Sequence, residues 1–328
     1  IPQLISFTIF WALNVAIGLG GGGILNKFTA VLSPLIYVVV IGMTVWAINA
    51  AGDLGNILAF SLAAAEDFNP VFVFLMILNS VIAVWAAPGA SVSDFTQNAT
   101  STATQRRGQT LSLLVAYVVF AFCSVVILIG ASLATGTQHW DITTVIDSWS
   151  SVPLVVCATG VFLLTTISTN ATGNIIPAGY QLAALFPKKL TYRSGVAVAS
   201  IISFAIMPWK LMENSSSIYL FLNTIGAVLG PVAGVMIAHY YFVAKRQINL
   251  DALYMDMNDQ DKSNPYQGIN VPAYIATIAA LIISLSGQFI PALSFISGVS
   301  WFAGFISAFV IYLVIRKFSS SQANVEAN

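Results

Sequence analysis

Long apolar stretches separated by short polar segments dominate this 328-residue sequence. Residues 109–134, for example, contain no Lys, Arg, Asp or Glu. About 20 apolar residues are needed for a helix to cross a bilayer. The pattern therefore predicts nine membrane-spanning helices, at residues 1–24, 28–50, 70–93, 109–134, 153–186, 194–209, 217–243, 270–290 and 293–315. Only 7% of the residues are charged, against about 25% in soluble domains, so we expect an all-α polytopic membrane protein.

The basic residues predict the orientation of these helices. If residue 1 is external, Lys210 is the one basic residue in an external segment. The other basic residues then lie in cytoplasmic segments: Lys27, Arg106, Arg107, Lys188, Lys189, Arg193, Lys245, Arg246, Lys262, Arg316 and Lys317. This positive-inside bias indicates a multi-pass protein of the cytoplasmic membrane. We predict one transmembrane domain over residues 1–317 and a polar, disordered cytoplasmic tail over residues 318–328.

Charge and cysteine content argue against several other classes of protein. The formal net charge is zero, which does not favour a nucleic-acid partner. Cys123 and Cys157 both lie in apolar segments, so we interpret them as small packing residues rather than as a disulfide or metal site. The sequence shows no nucleophile–base pair, metal cluster or phosphate-binding loop, so we expect neither an enzyme nor a bound cofactor.

The first interruption of an apolar helix is VWAAPGASVSDF, residues 84–95. Pro88 has no amide proton to donate to the preceding turn, and Gly89 beside it is conformationally free. A break here exposes backbone groups, which a membrane tolerates only next to protein or water. The alternative is a simple proline kink in which Trp85 is an ordinary buried residue.

The second interruption is TTISTNATGN, residues 165–174, in which seven of ten side chains carry a hydroxyl or an amide. Thr165, Ser168 and Thr169 are spaced i, i+3 and i+4 and so share one helical face. Hydroxyl and carbonyl oxygens there suit a small alkali cation. Asn174 would lie on the opposite side of a straight helix, unless Gly173 and Pro177 loosen the geometry. The alternative is that the hydroxyls bond their own helix or a neighbouring one.

The third interruption is GAVLGPVAG, residues 226–234. Gly226, Gly230 and Gly234 repeat every four residues, with Pro231 between them. This spacing is typical of close helix packing, and it equally suits a hinge that lets one end of the helix move.

These three motifs together resemble the nucleobase–cation symport family 1, and within it the bacterial allantoin permeases. The segments TTISTNATGNIIPAGYQ, PWKLMENSSSIYLFLN and AHYYFVAKRQINLDALY carry the resemblance, which extends over residues 1–315. It implies a five-plus-five inverted-repeat (LeuT-like) transporter fold with two further helices. The nine spans would then be helices four to twelve. Since the sequence begins without Met inside an apolar run, we expect a fragment that lacks the first three helices and does not transport by itself.

The resemblance also implies roles for individual residues. Trp85 would stack on a flat substrate ring, Val84 would offer a backbone contact beside it, and Asn174 would hydrogen-bond the ring. The coupling sodium would take the carbonyl of Thr165 and the hydroxyls of Ser168 and Thr169. A gate at Leu222 would precede a hinge formed by Gly226, Gly230, Pro231 and Gly234.

The implied function is sodium-coupled import of allantoin or a related neutral ureide by a monomeric protein surrounded by lipid. The physical chemistry agrees, because an indole face and an amide suit a flat, uncharged ring rich in amide groups. Proton coupling, uncoupled transport, or another flat heterocycle such as uracil or cytosine remain alternatives. So does a membrane receptor or scaffold that binds without translocating, although such a protein needs no interrupted helices.

Overall fold

The computed structural model describes residues 2–20, 22–60, 69–96, 99–253, 266 and 268–326. The regular secondary structure in these ranges is helical. Nine helices follow the predicted spans: α1 (Pro2–Gly20), α2 (Gly22–Ala50), α3 (Pro70–Ala90), α4 (Thr102–Thr135), α5 (Val152–Leu185), α6 (Tyr192–Ala205), α7 (Ser215–Val243), α8 (Val271–Phe289) and α9 (Ser300–Glu326). Shorter helices include Leu54–Leu58, Val92–Thr96, Ile142–Asp147 and Pro208–Leu211.

Eight of these helices in the described part of the chain are long and apolar enough to cross a membrane. The exception is α6, predicted over 194–209, which has only 14 residues and rises about 21 Å at 1.5 Å per residue. It ends because Met207 adopts a left-handed conformation (φ 54°) before Pro208 starts a new turn. The predicted sixth span is therefore present as a helix that is shorter than the hydrocarbon core.

Lipid-facing stripes are visible on single helices. In α2, Val31, Val38 and Val45 recur every seven residues and are 72%, 67% and 54% exposed. Apolar residues at this spacing lie on one face of a helix. Such a face is unfavourable in water, but it is the surface that a bilayer requires.

By internal contacts the chain forms two compact units, residues 1–66 with 91–215, and residues 67–90 with 216–328. In the first unit, the core between α2, α4 and α5 includes Met43, Ala47 and Ile127. Gly130 of α4 lies so close to α2 that a Cβ there would be 2.7 Å from the Ala47 carbonyl oxygen. On α1, the indole of Trp11 donates to the Ser200 carbonyl of α6 at 2.9 Å.

The second unit contains α3, α7, α8 and α9. Its core is built from small residues, which let the helices approach closely, around the fully buried Tyr312. The Tyr312 hydroxyl lies 2.7 Å from Nδ1 of His239. At the start of α9, the backbone amide of Trp301 donates to Oδ1 of the buried Asn79 at 2.9 Å. The side-chain amide of Asn79 on α3 therefore caps the start of α9.

Two expectations about smaller features need correction. Cys123 is buried in the first unit's core, but Cys157 is exposed and is not part of that core. Helix α9 continues to Glu326, into the segment predicted to be disordered. The residues after Lys317 include no proline or glycine, so nothing in their backbone chemistry ends the helix earlier. Lys262, one of the predicted cytoplasmic basic residues, lies outside the described residues.

Candidate functional site

The polar segment of α5 contains a change of helix type. Residues Val152–Asn170 are α-helical, Ala171–Ile175 form a π-helical turn, and Ile176–Leu185 return to α-helix. Within the turn, the Ile176 amide donates to the carbonyl of Ala171, five residues back. Turns of this kind are frequent at functional sites. The carbonyl of Gly173 also receives no hydrogen bond from position 177, because Pro177 has no amide proton.

The predicted cation ligands lie one turn before this π-helical turn. Ser168 is 4% exposed, and its hydroxyl lies 2.6 Å from the hydroxyl of Thr29 on α2. Thr169 is exposed, and its hydroxyl makes no hydrogen bond within the described part of the chain. The Thr165 hydroxyl bonds its own helix, to the carbonyls of Val161 and Phe162. The predicted role of Thr165 uses only its backbone carbonyl, so these hydroxyl bonds do not bear on it and the role stays a prediction.

Asn174 is exposed and ends a chain of side-chain amides that links α5 to α1. Its Nδ2 donates to Oδ1 of Asn170 at 2.7 Å, and Nδ2 of Asn170 donates to Oδ1 of Asn14 at 3.0 Å. Nδ2 of Asn14 donates to the Phe10 carbonyl at 2.8 Å. Asn14 is 2% exposed.

Sequence reasoning missed Asn14 and Asn170 as members of this site. A signal was available, since a lone amide in an apolar helix such as WALNVAIG needs a partner. The sequence could not identify that partner, because Asn14 and Asn170 are 156 residues apart.

The surface beside Asn174 is open. A Cβ added at Gly173 would meet no atom within 4 Å. Gly179, one and a half turns further along α5, is by contrast tightly packed, since a Cβ there would be 2.7 Å from Val196. The glycine next to Asn174 thus leaves room beside the amide, whereas Gly179 serves helix packing.

Val84 and Trp85 lie on α3, in the second unit, and are 50% and 42% exposed. The sequence predicts a break at Pro88 and Gly89, but α3 continues through both residues to Ala90, and the turn comes at Ser91. A membrane helix can continue through a proline where neighbouring groups or local adjustments of the helix satisfy the freed backbone atoms. The missing bond is the one from position 88 to the carbonyl of Val84, where a backbone contact is predicted.

The glycine stripe of α7 is a packing surface. A Cβ at Gly226 would lie 2.5 Å from the Cβ of Ala83, and one at Gly234 would lie 2.4 Å from the Phe305 carbonyl oxygen. Helix α7 runs without a break through Pro231. The carbonyl of Ala227, four residues before Pro231, instead accepts the hydroxyl of Ser284 of α8 at 2.9 Å.

These contacts establish close packing of the stripe, and the predicted hinge at Gly226, Gly230, Pro231 and Gly234 stays a prediction. Leu222, the predicted gate, is half-buried one turn before Gly226. No group of three or more His, Cys, Asp or Glu side chains suited to a metal occurs in the described ranges.

Comparisons with known proteins give a consistent result. The profile of the family described as "Permease for cytosine/purines, uracil, thiamine, allantoin" matches residues 1–314. The chain is 51% identical over 327 residues to the "Putative allantoin permease" of Escherichia coli strain K12, covering 99% of this chain and 67% of that protein. It is 32% identical over 315 residues to the allantoin permease of Bacillus subtilis strain 168, covering 96% and 64% of the two chains.

Among solved structures, the chain is similar to Mhp1, a nucleobase–cation–symport-1 family transporter in a closed conformation with bromovinylhydantoin bound. The TM-score is 0.71 at 21% identity, covering 96% of this chain and 67% of that one. This likeness confirms the predicted all-helical transporter fold. The chain spans about two thirds of the length of all three proteins.

Proposed function

Since this chain belongs to the nucleobase–cation symport family 1, the permeases for cytosine, purines, uracil, thiamine and allantoin, we propose that it serves in a sodium-coupled importer of allantoin or a related neutral ureide. Its relatives are permeases rather than enzymes. The proposed location is the cytoplasmic membrane, and the proposed active form is a monomer.

The exposed amide of Asn174 is the observation that carries this proposal. Its Nδ2 already donates one hydrogen to Asn170, which leaves Oδ1 and a second N–H for a ligand. An acceptor beside a donor complements the cis-amide edge of a hydantoin ring. Allantoin contains such a ring, and bromovinylhydantoin, the compound bound to Mhp1, contains it as well. The open space beside Gly173 gives that edge access.

The indole of Trp85 supplies the second recognition element. It is partly exposed on α3, and an indole face binds flat rings by stacking without requiring charge. The carbonyl of Val84, released by Pro88, adds a hydrogen-bond acceptor one residue away.

The test is uptake of radiolabelled allantoin by cells that lack their own uptake and express the full-length protein. We expect Trp85→Ala and Asn174→Ala each to reduce uptake at least tenfold at equal expression, about 1.4 kcal/mol or more in binding. Trp140→Ala and Asn49→Ala are matched controls outside the site and should transport normally. Unchanged uptake in the first pair would refute the assignment, and binding without accumulation would favour the receptor alternative.

The proposed coupling ion is sodium, held by the Thr165 carbonyl and the hydroxyls of Ser168 and Thr169. Three hard oxygen donors on one face suit this ion, and no nearby carboxylate is required. Uptake measured at fixed pH should follow external sodium, and Thr169→Val should raise the sodium concentration needed. Uptake that follows pH instead would support proton coupling.

The breadth of the family favours a second candidate substrate class, flat heterocycles such as uracil or cytosine. Competition by unlabelled uracil, cytosine and hydantoin against labelled allantoin would separate these substrates. Stronger competition by uracil than by unlabelled allantoin would favour a nucleobase as the substrate.

A further inference from the structure

The amide chain from Phe10 to Asn174 has only one possible direction. The Phe10 carbonyl can only accept a hydrogen bond, so Nδ2 of Asn14 must face it. Oδ1 of Asn14 then faces Asn170, which must donate with Nδ2. In turn Oδ1 of Asn170 faces Asn174, which must also donate with Nδ2. One backbone carbonyl on α1 therefore determines how the Asn174 amide is oriented on α5.

We infer that Asn14 and Asn170 are positioning residues that hold the Asn174 carboxamide in a single orientation for the ligand. This inference rests on the proposed function. Without the chain, the Asn174 amide could rotate by 180° and exchange its free acceptor and donor. A flipped amide would present its donor and acceptor in the wrong order to the N–H and C=O groups of the ligand, so binding would have to fix the amide in one orientation.

Burial supports this role. Asn14 is 2% exposed and lies inside an apolar helix, where a polar side chain is unfavourable unless it is bonded. The hydrogen bond from Nδ2 to the Phe10 carbonyl already satisfies the Asn14 donor, so the bond at its Oδ1 is a separate contact. The acceptor side is directed at α5, toward the residue that contacts Asn174. The two bonds of Asn170 are both side chain to side chain, so they fix rotamers rather than the backbone.

The test is the affinity of the purified full-length protein for radiolabelled allantoin, with thermal unfolding measured separately. Asn14→Leu removes the acceptor for Asn170 while keeping the same side-chain branching, and it should weaken allantoin binding at least about fivefold, as expected for one lost orienting hydrogen bond. Asn14→Asp in its protonated form can donate its O–H to the Phe10 carbonyl and keep an acceptor toward Asn170, so it should bind within about twofold of the unsubstituted protein. Ser200→Ala is the matched control: Ser200 is buried in the same unit, and its hydroxyl bonds only its own helix, at Val196.

A second comparison separates positioning from general stability. Asn170→Leu should weaken allantoin binding as Asn14→Leu does. The double variant should bind allantoin no more weakly than the single variant with the lower affinity, because both substitutions break the same chain of hydrogen bonds. If Asn14→Leu does not fold, the pair Asn170→Leu and Ser200→Ala decides the question.

The outcomes distinguish the two levels of the proposal. Absence of allantoin binding in the unsubstituted protein contradicts the proposed function. Normal affinity in folded Asn14→Leu or Asn170→Leu, with binding intact in the unsubstituted protein, overturns only the positioning role. Equal losses for Asn14→Leu and Asn14→Asp would also overturn it, since the acceptor would then be irrelevant.

Discussion

The hydrogen bond from Ser284 to the Ala227 carbonyl makes a sharp prediction about stability. Pro231 cannot donate to Ala227, so the carbonyl lacks its helical partner. Ser284 is fully buried and supplies the replacement at 2.9 Å. Hydrogen bonds between membrane helices contribute about 0.6 kcal/mol on average and about 1.7 at most, and an unsatisfied buried acceptor costs about 1–3 kcal/mol. We expect Ser284→Ala to lower the free energy of unfolding by about 1–2 kcal/mol.

The assay is reversible unfolding of the full-length protein in mixed micelles, followed by circular dichroism. Ser286→Ala is the matched control, because Ser286 lies on the same helix, is only half-buried, and donates only to Ile283 of its own helix. That variant should change the free energy of unfolding by less than about 0.5 kcal/mol.

A double-mutant cycle isolates the cause. Pro231→Ala restores an amide proton that can reach the Ala227 carbonyl, so in that background Ser284→Ala should cost no more than the control. Pro231→Ala has a packing cost of its own, since the proline ring lies against Gly304, but the cycle subtracts it. If Ser284→Ala costs the same with and without Pro231, the satisfied-carbonyl explanation is refuted.

Two further predictions concern packing and coupling. Gly234→Ala would place a Cβ 2.4 Å from the Phe305 carbonyl oxygen, so we expect a loss of about 1–3 kcal/mol in unfolding free energy. Gly160→Ala, which meets open space, should be neutral or slightly stabilising. Equal effects of the two substitutions would contradict the close-packing interpretation. Thr29→Val removes the 2.6 Å hydroxyl contact to Ser168 and should raise the sodium concentration for half-maximal uptake about tenfold, as for partners that orient metal ligands. Thr29→Ser keeps the hydroxyl and should leave that concentration unchanged. A sodium dependence unchanged by Thr29→Val would refute the role of Thr29 in orienting Ser168.

The sequence predicts the helices well because their signal is local. Hydropathy and length locate every long helix, but not every end, since α4 covers Thr102–Thr135 against a predicted 109–134 and α9 covers Ser300–Glu326 against a predicted 293–315. Helix α6 is shorter than predicted because Met207 and Pro208 end it early. The polar segment of α5 was identified for the same reason, since seven polar groups in ten residues stand out in any apolar helix.

The contacts of the site could not be predicted in the same way. A hydroxyl at Ser168 indicates a polar environment, but its partner Thr29 is 139 residues away. Pro88 and Pro231 have the same local chemistry as any helix-breaking proline, yet both lie inside continuous helices. At Pro231 a serine from another helix replaces the lost bond, and only the tertiary structure reveals it.

Prolines inside these helices have a consequence for mutational mapping. Pro88 and Pro177 each deprive one main-chain oxygen of its usual donor, that of Val84 in one unit and that of Gly173 in the other. Substituting the residue at position 84 or 173 leaves that main-chain oxygen in place, so alanine scanning does not detect its contribution. Substituting the proline four residues downstream restores an amide donor to that oxygen and so removes it as an acceptor for a ligand. Binding of a ligand rich in N–H groups would then weaken most.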